Sequence, residues 1–153
     1  MNERSAEEAR HQILLVEDNK ADLFLIREAI EMAGVRADLH IVNDGEAAVL
    51  FIDQADLNAT APCPVLVLLD LNLPRKTGTE VLRHLRKSRN CAEASVIIVS
   101  SSDTKGDRTL TAELGATEYF CKPSSFAAYL ALGDVVRRVL AGTGQSPHSE
   151  SMP

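Results

Sequence analysis

The fold is decided by a short apolar run that ends abruptly on a carboxylate, Val65-Leu66-Val67-Leu68-Leu69-Asp70. Three further apolar runs also stop at polar residues: Ile13-Leu14-Leu15-Val16 before Glu17-Asp18, Val96-Ile97-Ile98-Val99 before Ser100, and Tyr119-Phe120-Cys121 before Lys122. Strands buried on both faces of a parallel sheet are apolar along their length, and ligand sites form at their carboxyl ends. We therefore expect these polar groups to converge at one edge of a sheet.

Length and composition predict one domain without a nucleic-acid or membrane surface. The chain has 153 residues, of which 45% are hydrophobic and 25% charged, which suits a single core. A formal charge of −6 argues against binding to a phosphate backbone. The first ten residues are polar, unlike a secretory signal, and no apolar run has the length that a bilayer requires.

The cysteines predict a reducing compartment. Cys63, Cys91 and Cys121 show no paired spacing, and Cys121 falls in a predicted buried strand, where a thiol packs as a small hydrophobic group. We predict three reduced thiols and a cytoplasmic location.

Strand-like runs alternate with helix-like stretches five times, which is typical of a doubly wound α/β sheet with helices on both faces. We predict a polar segment over 1–10, the folded domain over 11–141 and a flexible tail over 142–153, with no output or catalytic domain. The predicted helices cover 19–34, a stretch from Gly45, 80–87, 103–114 and 126–140; the predicted loops include 54–64 and 88–95.

Glu17, Asp18 and Asp70 would bring three carboxylates into one pocket, which is repulsive unless a cation neutralises them. Mg²⁺ prefers oxygen ligands and is commonly held by a few carboxylates, so the set suits Mg²⁺ better than zinc. The four histidines show no zinc-like pairing.

Lys122 and Ser100 would add a positive charge and a hydroxyl at the same edge, both suited to phosphoryl oxygens. Phosphoryl transfer needs mainly positioning and charge neutralisation, so Asp70 is the predicted nucleophile. Taken singly, Glu17-Asp18 is as well explained by a solvated turn, Lys122 by a surface lysine, and Ser100 by a serine-rich loop. Their combination favours the site.

On these residues the chain resembles the receiver domain of two-component response regulators, from about His11 to Leu140. The matching features are the acidic pair Glu17-Asp18, the Asp-x-x-x-Pro run from Asp70 to Pro74, Ser100, and Lys122-Pro123. The resemblance implies a flavodoxin-like five-stranded parallel sheet in the order 2-1-3-4-5 and phosphorylation of Asp70. It also implies Mg²⁺ bound by Glu17, Asp18, Asp70 and the main-chain carbonyl of Asn72, and a cis peptide bond before Pro123.

The resemblance further implies a switch, in which the Ser100 hydroxyl moves toward the phosphoryl group while Tyr119 changes rotamer. Serine replaces the commoner threonine but keeps the hydroxyl. On general grounds, core packing explains a tyrosine such as Tyr119 more often than a switch role does.

Two runs, Val16 to Asp22 and Asp70 to Lys76, are similar to those of single-domain regulators associated with bacterial and cyanobacterial phytochromes. This narrower resemblance implies that a histidine on a light-sensing kinase is the phosphoryl donor. The output would then pass through protein contacts or through a histidine phosphotransfer protein.

The last predicted helix and the first carry more apolar positions than one buried stripe requires. Regulators of this type commonly dimerise through the fourth helix, fifth strand and last helix, so we predict a homodimer; the alternative is a wider core contact. The positions are Phe24, Leu25, Tyr129, Leu132, Val135, Val136 and Val139.

Two other functions compete with a phosphoryl-accepting signalling protein. A phosphohydrolase with a nucleophilic aspartate would usually need a second aspartate two residues later, and the chain has Asn72 there, which disfavours an enzyme. A receiver-fold interaction module that is never phosphorylated stays open, because fold does not determine function.

Overall fold

The structure, a computed structural model, describes residues 10–58 and 60–143. Five parallel strands form one sheet in the order β2-β1-β3-β4-β5, which confirms the predicted fold. The strands are β1 (His11–Val16), β2 (Ala37–Val42), β3 (Leu66–Leu69), β4 (Ser95–Ser100) and β5 (Glu118–Cys121). The helices are α1 (Lys20–Met32), α2 (Gly45–Leu57), α3 (Gly78–Arg86), α4 (Lys105–Glu113), α5 (Phe126–Tyr129) and α6 (Ala131–Thr143). None of the helices in the described ranges is long and apolar enough to cross a membrane.

The sheet is covered on both faces, which explains why its central strands are apolar throughout. Successive side chains of a strand point to opposite faces. Leu69 therefore packs in one layer with α2 and α3, while its neighbour Leu68 packs in the other layer with α1 and α6. Both leucines are fully buried, so β3 holds its end, and the residue that follows it, in a fixed place.

The ends of α1 and α3 are set by side-chain caps. Asn19 caps α1 by accepting a hydrogen bond from the backbone N–H of Asp22, at 2.9 Å. Past the end of α1, Gly34 adopts a φ of 77°, a conformation that glycine adopts at little cost. Thr77 and Glu80 form a reciprocal capping box at the start of α3. The turns at the carboxyl edge of the sheet are therefore well defined.

The second and the last predicted helices differ most from the sequence prediction. Residues 54–57 were predicted to lie in a loop but form the last turn of α2, which ends at Leu57. Ala55 is buried in this turn, and the Asp56 carboxylate accepts hydrogen bonds from Ser88 and Asn90 in the α3–β4 loop. The predicted last helix is divided into α5 and α6, and α6 extends to Thr143, two residues into the predicted tail. The remainder of that tail and residues 1–9 lie outside the described ranges, and the division into segments stays a prediction.

Most of the surplus apolar positions belong to the core. Leu132 and Val136 are fully buried against the sheet and α1, and of the seven positions Phe24 alone is largely exposed, at 60%. Gly133 lets the helices approach, because a Cβ there would lie 2.3 Å from the carbonyl oxygen of Ala29. The surplus is thus explained by a wide core contact and no longer supports a dimer.

The prediction of three reduced thiols is wrong, because Cys63 and Cys91 form a disulfide with their Cα atoms 5.4 Å apart. These residues lie shortly before β3 and β4, which pair with Leu66 opposite Ser95. Neighbouring parallel strands begin at the same edge, so this register brings the two loops together although the cysteines are 28 residues apart in sequence. Cys121 is a free thiol. The cysteines therefore no longer support a cytoplasmic location, which stays a prediction.

Candidate functional site

The centre of the candidate site is the ammonium group of Lys122, at the carboxyl edge of the sheet. Its Nζ lies 2.8 Å from Asp22 Oδ2, 2.9 Å from Asp70 Oδ2 and 3.0 Å from Glu17 Oε1. Three carboxylates from different parts of the chain therefore share one cation. The apolar strands deliver the predicted residues to this point, since Glu17, Asp70 and Lys122 directly follow β1, β3 and β5.

Backbone hydrogen bonds continue the sheet into the site. The N–H of Glu17 donates to the carbonyl of Val42 at 3.1 Å, and the N–H of Asp70 donates to the carbonyl of Val16 at 3.2 Å. The N–H of Lys122 donates to the carbonyl of Ser100 at 2.8 Å. The polar side chains thus start from backbone that the sheet holds rigidly.

Burial and ion pairing set the charge of the site. Glu17 and Asp70 are 1% and 5% exposed. Burial raises the pKa of Glu17 to about 7, even though hydrogen bonds from the Asn19 backbone and Lys122 favour its charged form. Burial alone would lower the pKa of Lys122, but hydrogen bonds to Asp22, Asp70 and Glu17 raise it above the ordinary lysine value. The lysine is a permanent cation here.

Beside the lysine, Glu17, Asp18 and Asp70 form a cluster with the ligand chemistry of a hard cation. One carboxylate oxygen from each lies within 4.8 Å of the other two, and the donors are all oxygen. Glu17 Oε1 is buried and, among the described residues, has no hydrogen bond of normal geometry; it forms an ion pair with Lys122 Nζ at 3.0 Å. The N–H of Asn72 donates to Asp70 Oδ1 at 3.1 Å, which folds this residue back over the carboxylate.

The loop after Asp70 is held against it by Gly78, the first residue of α3. A Cβ at this position would lie 2.2 Å from the carbonyl oxygen of Asp70. Two non-bonded atoms cannot lie so close together, so any larger residue would force the backbone to shift. The N–H of Gly78 donates to the carbonyl of Leu71 at 3.0 Å. The loop therefore returns tightly to the strand end from which it started.

Ser100 and Tyr119, the two predicted switch residues, both bond to Ser102. Ser100 is fully buried at the end of β4, and its Oγ accepts a hydrogen bond from the backbone N–H of Ser102 at 3.2 Å. The Tyr119 hydroxyl donates to the Ser102 carbonyl at 2.7 Å, and the Arg108 guanidinium lies 4.5 Å from the centre of the Tyr119 ring. The β4–α4 loop thus connects the site with a half-buried aromatic residue.

The peptide bond before Pro123 is trans, whereas the resemblance implied a cis bond. Trans is the ordinary form of this bond, and with it Lys122 reaches all three carboxylates.

Two residues of the site, Asp22 and Tyr129, were not predicted from the sequence. Asp22 lies in the first turn of α1 and accepts hydrogen bonds from Lys122 and, at 3.0 Å, from the Tyr129 hydroxyl. Tyr129 belongs to α5 and is 1% exposed. A signal was available, because a tyrosine on a buried stripe needs a partner for its hydroxyl.

Comparison with known proteins identifies the family. Residues 13–132 match the response regulator receiver domain. The chain belongs to this receiver family. It is 37% identical over 110 residues to the response regulator Rcp1 of Synechocystis sp., a match that covers 72% of this chain and 75% of Rcp1.

Two solved receivers are similar in structure. The phosphorylated cyanobacterial phytochrome response regulator RcpA matches with a TM-score of 0.79 and 32% identity, covering 91% of this chain and 99% of RcpA. The Mn²⁺-bound form of Rcp1 matches with a TM-score of 0.74 and 32% identity, covering 83% of this chain and 91% of that one. The receiver resemblance is confirmed, including its similarity to phytochrome-associated regulators. Receivers are signalling proteins whose partners are histidine kinases.

Proposed function

We propose that this receiver accepts a phosphoryl group from a histidine kinase on Asp70, as a single-domain regulator of a two-component system or phosphorelay. The observation that carries the proposal is the pairing of a buried strand-end carboxylate, Asp70, with a fixed ammonium 2.9 Å away. An Asp70 oxygen forms a bond to phosphorus while the phosphorus–nitrogen bond of phosphohistidine breaks, and the electron pair of that bond goes to the imidazole. The protein is a phosphoryl acceptor, and its own catalysis extends at most to its phosphorylation and dephosphorylation.

Lys122 and Ser100 are the proposed ligands of the phosphoryl oxygens. The ammonium supplies positive charge beside the nucleophile, and the Ser100 hydroxyl lies at the end of β4, the strand that pairs with β3. Phosphoryl transfer depends chiefly on positioning and on neutralising oxygen charge. A rigid sheet edge that carries a cation and a hydroxyl meets both needs.

Mg²⁺ is the proposed cofactor, held by Glu17, Asp18, Asp70 and the main-chain carbonyl of Asn72. The cluster offers only oxygen ligands, and Glu17 Oε1 is buried without a hydrogen bond of normal geometry. Both features fit a hard divalent cation. Such an ion, when bound, neutralises the charge of the carboxylates and of the incoming phosphoryl group. The Mn²⁺ in the Rcp1 structure supports a divalent cation at this edge.

The proposed switch follows from the contacts of Ser102. Movement of the Ser100 hydroxyl toward a phosphoryl group breaks its bond with the Ser102 N–H, and the same loop holds the Tyr119 hydroxyl. The loop and the aromatic side chain then change together, which alters the surface formed by α4 and β5.

A bacterial or cyanobacterial phytochrome kinase is the proposed donor, on the basis of the similarity to RcpA and Rcp1. The output would pass through protein contacts in the cytoplasm or through a histidine phosphotransfer protein. Homodimerisation through α4, β5 and α5–α6 also stays a proposal. It is supported by the edge position and partial exposure of β5 and by Phe126, which is 45% exposed.

The test is the intact mass of the wild type and of Asp70→Asn after incubation with acetyl phosphate, with Mg²⁺ or with a chelator. We expect one phosphoryl adduct on the wild type alone, dependent on Mg²⁺. Asp70→Asn should keep the fold, because the side chains are nearly isosteric and the change relieves carboxylate repulsion.

Two results would contradict the proposal in different ways. An adduct on Asp70→Asn at the wild-type rate would show that the site assignment is wrong. No adduct on the wild type, with acetyl phosphate or with phosphorylated histidine kinases, would favour the interaction module that is never phosphorylated.

A further inference from the structure

Among the described residues, Asp22 is the one carboxylate partner of Lys122 that the proposed metal site does not use. Glu17 and Asp70 contact the ammonium and also belong to the acidic cluster, whereas Asp22 contacts the ammonium, at 2.8 Å, without belonging to the cluster. A cation bound by Glu17 and Asp70 would compete with the lysine for those two carboxylates. Asp22 is then the partner that the lysine retains.

Asp22 is itself held on both sides. Its Oδ1 accepts a hydrogen bond from the Tyr129 hydroxyl at 3.0 Å while its Oδ2 faces Lys122. Tyr129 is almost completely buried, and its ring lies 6.1 Å from that of Phe120. The carboxylate is thus fixed between a core residue of α5 and the ammonium.

We propose that Asp22 is a positioning residue, which holds the Lys122 ammonium beside Asp70 in the metal-loaded receiver, and that Tyr129 orients Asp22 for this purpose. The inference rests on the proposed function. It assigns a role in phosphoryl acceptance to α1 and α5, neither of which supplies a proposed ligand of the metal or of the phosphoryl group.

A lysine needs such a partner because its side chain is long and flexible and its ammonium has no fixed direction. In the structure, the ammonium donates hydrogen bonds to Asp22 Oδ2 at 2.8 Å and Asp70 Oδ2 at 2.9 Å, and it forms an ion pair with Glu17 Oε1 at 3.0 Å. Without Asp22, the metal-loaded site leaves the ammonium no partner of its own, and the lysine samples positions away from the incoming phosphoryl group.

The experiment measures the rate of phosphorylation by acetyl phosphate at saturating Mg²⁺ for the wild type, Asp22→Ala and Tyr129→Phe. Asp22→Ala removes one hydrogen bond between charged groups, so its phosphorylation should be about tenfold slower than that of the wild type. Tyr129→Phe keeps the ring and removes one neutral hydrogen bond, so it should be about threefold slower. The matched control is Glu31→Ala, which removes an exposed carboxylate further along α1 and should match the wild type.

The double variant separates positioning from a general loss of structure. If Tyr129 acts through Asp22, adding Tyr129→Phe to Asp22→Ala should slow the reaction no further. A second readout is the NMR signal of the Lys122 side-chain ammonium in the Mg²⁺-loaded protein. That signal should be protected from exchange in the wild type and in Glu31→Ala, and lost in Asp22→Ala.

The outcomes distinguish this inference from the proposed function. If the wild type is phosphorylated and Asp22→Ala reacts at the rate of Glu31→Ala, the inference is overturned and the proposed function stands. If the wild type accepts no phosphoryl group, the proposed function fails and the ammonium signal decides. Its loss in Asp22→Ala alone supports the positioning role, and its persistence there overturns that role.

Discussion

The two edges of the sheet are built from opposite kinds of interaction. At the carboxyl edge, one ammonium faces the carboxylates of Glu17, Asp22 and Asp70. At the amino edge, the Cys63–Cys91 disulfide joins two loops, and the Arg86 guanidinium donates hydrogen bonds to four backbone carbonyls.

The two edges differ in how much uncompensated charge they contain. The carboxyl edge gathers like charges that a second cation would relieve, so it is poised to bind at a cost in stability. At the amino edge, the disulfide and the Arg86 guanidinium are paired with groups of the protein itself. We therefore expect substitutions at the carboxyl edge to change both function and stability, and those at the amino edge to change stability alone.

The largest effect is expected for Lys122→Met. Removing the cation from buried carboxylates should lower the free energy of unfolding by roughly 3 kcal/mol without divalent ions and abolish phosphorylation. Mg²⁺ should then stabilise the variant more than the wild type, because it replaces the lost positive charge. Urea denaturation with and without Mg²⁺ measures both effects, with the exposed Lys87→Met as control. Equal stability of variant and wild type in both conditions would disprove this account.

The double variant Cys63→Ala/Cys91→Ala tests the amino edge. The two cysteines are 28 residues apart in sequence. Loss of the disulfide between them should lower the free energy of unfolding by about 2–4 kcal/mol. Phosphorylation should stay within about twofold of the wild type, because both cysteines lie at the opposite edge of the sheet. A dithiol reductant should destabilise the wild type and leave the variant unchanged. A large fall in phosphorylation would show that the two edges are coupled.

Arg86→Met should have a smaller effect. The Arg86 guanidinium donates to the carbonyls of Ala92, Ala94, Leu114 and Gly115 at 2.7–3.1 Å. Methionine keeps much of the packing volume but leaves these carbonyls to water, which should cost about 2 kcal/mol of unfolding free energy. Thermal and urea unfolding measure it, with the exposed Arg83→Met on the same helix as control. If both variants unfold alike, the carbonyl contacts contribute nothing.

The smallest effect is expected for Asp56→Asn, and it should depend on pH. The Ser88 hydroxyl, followed by the backbone N–H groups of Asn90 and Arg89, holds the pKa of Asp56 below its usual value. A lowered pKa in the folded state adds stability above the unfolded pKa, and this is lost as the pH falls through the folded value. The difference in stability between wild type and variant should therefore be present at neutral pH and shrink below about pH 4. A difference that stays constant with pH would rule out this linkage.

The carboxyl edge could be predicted from sequence because its residues end strands. An apolar run that stops at Asp70 or Lys122 gives both the strand and the position of the side chain after it. Parallel pairing then forces the ends together without any knowledge of the loops. The same strand-end residues carry the family resemblance, and the resemblance in turn implies the strand order.

The amino edge and the helix contributions were not predictable in this way. Cys63 and Cys91 meet only because β3 and β4 pair in one register, and sequence spacing does not show a register. Asp22 lies within a helix, where a carboxylate in the first turn is ordinary. Tyr129 counts among the surplus apolar positions of the last predicted helix, and nothing in the sequence pairs its hydroxyl with Asp22, which lies 107 residues earlier.

The contacts of Asp22 have a consequence for the timing of synthesis and folding. Asp22 and Lys122 are 100 residues apart in sequence, and Asp22 and Tyr129 are 107 apart. Contacts between residues so far apart in sequence form late, because the intervening chain must first close a long loop. A chain still emerging from the ribosome therefore carries acidic residues but no assembled centre, and competence to receive a signal arises only when folding is complete.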